Sequence, residues 1–124
     1  MWELTKSFRF EAAHSIAGTT LGAAGADVHG HSFRAEVTIS GVPDQSTGMV
    51  IDLGLLESSL ESIRSSLDHK WLNRIPQLGP PTLENIARYI WDRVETPGQL
   101  VRVTVHRDSL NEACTYLGPH PSRG

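Results

Sequence analysis

At 124 residues the chain can bury one hydrophobic core but has no room for separate binding and catalytic modules, so a single domain over 1–124 is expected. A formal net charge of −3, with the Lys and Arg residues scattered, excludes the basic stripe of a nucleic-acid binder. The single cysteine, Cys114, excludes an internal disulfide or a Cys-rich metal cluster and leaves six histidines and the carboxylates as metal-ligand candidates.

Along the chain, the start MWELTKSF lacks the apolar stretch of a signal peptide, and no run approaches the roughly 20 apolar residues of a membrane helix. A cytoplasmic protein with no membrane partner is expected. Phe8, Phe10, Ala12 and His14 alternate with Arg9 and Glu11, which predicts a strand. The segment from Ala17 to Ala26 has neither period and reads as a mobile loop. Alternation resumes from Phe33, with Ala35, Val37 and Ile39 on the same face, and this second strand ends at Gly41 and Pro43.

Leu53, Leu56, Leu60, Ile63 and Leu67 recur at spacings of three and four, which predicts a helix with one buried stripe and Asp52 as its cap. Beyond Pro80 and Pro81, Thr82 can cap a second helix that buries Leu83, Ile86, Ile90 and Val94 and stops at Pro97 and Gly98. Val101, Val103 and Val105 predict a third strand, and Ala113 to Leu117 a fourth. The order ββααββ predicts an α+β fold: an antiparallel sheet with both helices on one face.

Chemistry centres on His29-Gly30-His31, where two imidazoles two residues apart in an extended chain project to the same side and can share a metal. His14 ends the first strand on its apolar face. If the strands pair, it adds a third ligand and leaves a fourth position for water or substrate, as in catalytic sites. An isolated His-x-His pair is more often a surface or structural feature.

Five segments in order, FRFEAAH at 8–14, HGHSF at 29–33, GMVIDLGLL at 48–56, LDHKWLN at 67–73 and PTLEN at 81–85, resemble the 6-pyruvoyl-tetrahydropterin synthase and 6-carboxytetrahydropterin synthase family. The resemblance implies the tunnelling fold, with subunits closing into barrels as homotrimers stacked into homohexamers and active sites between subunits. It implies zinc on His14, His29 and His31, and an acid–base pair in Asp68 and His69. Thr82 and Glu84, in the PTLEN segment, are carried as substrate-binding candidates. Read without the resemblance, Asp68-His69 is simply a helix C-terminus, where histidine is favoured by the dipole.

Two positions depart from the family pattern. The catalytic cysteine expected four residues before HGH is Gly25, which cannot transfer a proton. Asp27 is the nearby carboxylate that could take part of that role, whereas a buried strand cysteine such as Cys114 would be inert. The glutamate expected at the end of the third strand is Arg107 by strand parity, or Asp108 counting back from Tyr116. Arginine presents donors only and suits a carboxylate or phosphate, while its other reading is a surface residue paired with Asp108 or Glu112. Trp71 and Trp91 read as packing residues that could also stack on a flat substrate.

The sequence reading is therefore a zinc-dependent lyase, cyclase or condensing enzyme, repurposed to a small carbonyl- or imine-bearing substrate with an anionic group. A Pictet–Spengler-type condensation is one such chemistry. The alternatives are 6-carboxytetrahydropterin or 6-pyruvoyl-tetrahydropterin synthase activity on dihydroneopterin triphosphate, or a non-catalytic pterin- or metabolite-binding protein.

Overall fold

The computed structural model describes residues 1–119. Strands β1 (Trp2–His14) and β2 (His29–Gly41) pair antiparallel along their whole length, from Trp2 opposite Gly41 to His14 opposite His29. Both are longer than the alternation predicts: β1 begins six residues before Phe8 and β2 four before Phe33. Between them lies the segment expected as an irregular loop, and it contains one helical turn, α1 (Ala23–Ala26).

Helix α2 (Leu53–Leu67) starts where Asp52 accepts the Gly54 N–H at 2.8 Å and buries Leu56, Leu60, Ile63 and Leu67. A two-residue strand, β3 (Lys70–Trp71), then runs parallel to β1 beside Ala12 and Ala13. Thr82 accepts the Asn85 N–H at 3.2 Å to open α3 (Leu83–Arg93), and Val94 caps its end. Strands β4 (Gln99–Arg107) and β5 (Glu112–Tyr116) complete a five-stranded sheet ordered β3-β1-β2-β4-β5. The ββααββ order holds, with β3 added at the β1 edge.

The core lies between one sheet face and the two long helices. Phe10 and Phe33, opposite each other on β1 and β2, stack at 5.0 Å, and Val37 and Ile39 continue their row. Full burial of each such side chain contributes about 1.5–3 kcal/mol. The β2–β4 register slips between Thr38 and Ile39, so Val37 faces Val103 but Ile39 faces Leu100. Leu100 therefore packs on the core in place of Val101, which the bulge displaces. Gly98 beside it has φ 87°, and a Cβ there would meet Ile39 Cγ2 at 2.9 Å.

The opposite sheet face is polar, with Thr5 and Thr38 hydroxyls bonded at 2.8 Å and Arg34 held by Glu36 and Asp108. No helix among the described residues is long and apolar enough to cross a membrane.

Candidate metal centre and active site

The alternation that buries Phe10 and Phe33 carries on to the strand ends, where the core-side row becomes His14, His29 and His31. Ala12 stands opposite His31 and His14 opposite His29, so three imidazoles meet at one end of the core. Their ring centroids lie 4.6, 4.8 and 4.9 Å apart, edge to face, and their ligand nitrogens all fall within 4.8 Å of one another.

The main chain selects the tautomers. His14 Nδ1–H donates to the Pro81 carbonyl at 3.0 Å and His29 Nδ1–H to the Asp27 carbonyl at 2.8 Å, so both rings keep Nε2 for a ligand bond. His14 is 1% exposed, and its Nε2 is buried with no partner. An orphaned buried acceptor on a ring oriented in this way fits a metal ion. Burial first, then the neighbouring imidazoles and Arg107, lowers the His31 pKa to about 4; burial likewise pushes His14 below its ordinary value. Both rings are thus held in the neutral, ligating form.

Arg107 lies on this face, in the parity of Val103 and Val105, and its side chain is 15% exposed. Its Nη2 donates to Glu112 Oε2 at 3.2 Å across the β4–β5 ladder, and its Nε is buried without a partner. Asp108 is placed on the other face. There its two oxygens accept Arg34 Nε at 3.0 Å and Nη2 at 3.1 Å, with Arg9 at 3.7 Å; these cations hold the carboxyl below its ordinary pKa. Strand parity therefore brings Arg107, and not Asp108, to the histidines.

Asp68 and His69 form their own unit at the outer edge of β1. Asp68 Oδ1 accepts the Glu11 N–H at 2.9 Å, and Oδ2 accepts His69 Nδ1–H at 2.9 Å and Arg64 Nη2 at 3.2 Å. The Glu11 bond, then His69 and Arg64, lowers the carboxyl's pKa from its ordinary value. Asp68 is also the C-cap of α2, so the helix-end reading and a polar pair coexist. His69 stands in the left-handed region at φ 58° and is largely exposed. His69, without Asp68, lines an open depression of about 500 Å³ whose walls include Glu11, Ala13 and Ser32, from the polar face, together with His31. Among the described residues no hydrogen bond joins His69 to the triad.

The remaining candidates contribute through the main chain or stand apart. Asp27 meets the triad through its carbonyl. Thr82 spends its hydroxyl on the helix cap, and its neighbour Pro81 supplies the carbonyl under His14. Glu84 is exposed in the first turn of α3; burial first, and then this carboxylate, pushes the Cys114 thiol up, which disfavours the thiolate. Trp91 packs edge-on to Tyr116, and Trp71 lies under the Arg74 guanidinium at 4.4 Å.

Gly25 is buried, and a Cβ there would meet Ile16 O at 3.1 Å and Thr19 Oγ1 at 2.9 Å. Gly25→Cys is expected to cost about 1–3 kcal/mol of stability through overpacking and to add no activity. A thermal melt with an activity assay checks this, and an active, undestabilised variant would contradict it.

Reasoning from sequence missed the Pro81 and Asp27 carbonyls, since a main-chain acceptor has no residue signature, and gave Glu112 only as a surface ion-pair partner.

Residues 3–119 match the family described as 6-pyruvoyl tetrahydropterin synthase. A Synechocystis protein named 6-carboxy-5,6,7,8-tetrahydropterin synthase is 34% identical, with 98% of each chain covered. A Drosophila melanogaster 6-pyruvoyl tetrahydrobiopterin synthase is 36% identical over 77% of this chain, which spans 61% of that protein's length. The solved structure of Caenorhabditis elegans 6-pyruvoyl tetrahydropterin synthase superposes with a TM-score of 0.81 at 25% identity, covering 95% of this chain and 96% of that one. With the sheet order, the three histidines and these matches in agreement, the chain belongs to the 6-pyruvoyl tetrahydropterin synthase family.

Proposed function

We propose that this chain is a zinc-dependent lyase, cyclase or condensing enzyme whose small-molecule substrate places a carbonyl or imine at the histidines and an anionic group on Arg107. The observation that carries the reading is Arg107 itself, a mostly buried cation on the triad's face. Three imidazoles leave one position open, the ligand set of catalytic zinc. When bound, zinc supplies Lewis-acid polarisation of a substrate oxygen. His14 and His29 hold their ligand nitrogens in place through Pro81 and Asp27. Asp68 fixes His69 with Nδ1–H inward, which leaves Nε2 as the atom that takes or gives a proton. Arg107 orients the substrate's anion.

A Pictet–Spengler-type condensation fits this division of labour, with an amino-acid carboxylate on Arg107. The test is turnover by the zinc-loaded protein: carboxylate-bearing β-arylethylamines with aldehydes should yield the cyclised product with loss of water, the aryl carbon attacking the iminium carbon and then losing its proton, and dihydroneopterin triphosphate should not react. Efficient conversion of dihydroneopterin triphosphate would instead establish the second reading, 6-carboxytetrahydropterin synthase, which the full-length Synechocystis match favours.

Assembly belongs to the same proposal. Among the described residues β5 is an edge strand, and β1 has a strand neighbour on its outer side only at Ala12 and Ala13, with Arg64, Asp68 and His69 bonded to its Arg9 and Glu11 main chain, so β5 and the first half of β1 offer edges to other copies. Sedimentation at micromolar concentration is expected to show a homotrimer or homohexamer; a stable monomer would contradict it.

A further inference from the structure

We infer that Glu112 is a second ligand-recognition residue of this site, so that with Arg107 it selects a ligand carrying an N–H donor beside an anionic oxygen, as an α-amino acid does. The inference rests on the proposed role of Arg107.

Arg107 and Glu112 are direct partners on β4 and β5, and one hydrogen bond of 3.2 Å joins them. Among the described residues that is the carboxylate's single side-chain hydrogen bond, and the side chain is 44% exposed. As the direct ladder partner of Arg107, Glu112 shares the sheet face that carries the three histidines. The pair therefore offers unused donors on Arg107, including the orphaned Nε, next to unused acceptor capacity on Glu112.

Charge decides what such a pair takes. A bare anion reaching Arg107 must compete with Glu112 for the guanidinium and is repelled by the carboxylate. A ligand with an ammonium or other N–H next to its anionic oxygen meets both partners: the oxygen accepts from Arg107 and the N–H donates to Glu112. Repulsion becomes a second charge-assisted hydrogen bond. Glu112 thus discriminates amine-bearing substrates from simple carboxylates.

The experiment is calorimetry on the zinc-loaded protein with two matched probes, L-tryptophan and indole-3-propionate, which differ by the ammonium group. Glu112→Ala is expected to weaken L-tryptophan by about tenfold or more and to leave indole-3-propionate unchanged or tighter. Glu112→Gln, which keeps the side chain's size, should show the same selective loss at smaller magnitude, so a fold defect cannot imitate the result. Equal weakening of both probes, loss of neither, or a wild type that binds neither at millimolar concentration would overturn the role of Glu112. Arg107→Gln separates the two ideas: it should weaken both probes, and if it weakens neither, the anion site itself fails and the inference with it.

Discussion

His31→Ala is expected to release the metal and abolish turnover together. Three imidazoles converge with nitrogens within 4.8 Å of one another, whereas zinc with bonds of about 2.0–2.1 Å draws tetrahedral donors to about 3.4 Å apart. No other His, Cys, Asp or Glu among the described residues joins this cluster, so a missing ligand has no replacement. A complete structural zinc site contributes about 10–16 kcal/mol, so one ligand of such a set is worth on the order of 3 kcal/mol, or at least a hundredfold in affinity.

His31 is the cleaner site for this substitution because it is half-buried. His14→Ala should also lose the metal. It would in addition strand the Pro81 carbonyl in a buried place, at a further cost of about 1–3 kcal/mol to the fold. Elemental analysis of purified protein checks both, and full zinc occupancy in His31→Ala would reject the assignment.

The triad was legible in the sequence because it obeys the rule that builds the core. Period-two alternation puts His14 in the row of Phe10 and Ala12, and His29 and His31 in the row of Phe33 and Ala35, so pairing the two strands suffices to gather the three imidazoles. The helices were legible for the same kind of reason, from the spacing of Leu56, Leu60, Ile63 and Leu67 and from a capping Asp52 and Thr82. What escaped depends on partners rather than pattern. β3 exists because Lys70 and Trp71 find the free edge of β1, and two residues carry no period. The bulge opposite Thr38 turns Val101 out of the core, yet parity recovers at Val103 and carries correctly to Arg107. Glu112 joins the site only through the register of the β4–β5 hairpin, which no residue type announces.

That recovered parity makes Arg107 the position where substrate class can be tested. Arg107→Gln removes the guanidinium but keeps a side chain of similar reach, and should weaken a carboxylate- or phosphate-bearing ligand by about 1.5–3 kcal/mol, the range for a hydrogen bond to a charged group. Zinc should stay bound, since Arg107 is no ligand and its charge works against protonation of the imidazoles rather than for metal binding. Arg107→Glu should go further. It sets a carboxylate opposite Glu112, so an anion now meets two like charges, and its binding should fall below detection. The same substitution creates an acceptor pair that can take the N–H groups of a pterin's amino-pyrimidinone edge, which arginine cannot. Calorimetry with one anionic ligand and one neutral pterin, on wild type and both variants, reads all of this in a single series. The expected pattern is anion binding that is weakened in Arg107→Gln and lost in Arg107→Glu, and pterin binding gained in Arg107→Glu. Tight pterin binding by the wild type, retained in both variants, would sink the anion site and return the chain to pterin chemistry, with Glu84 or Glu112 as the carboxylate left to anchor the ring.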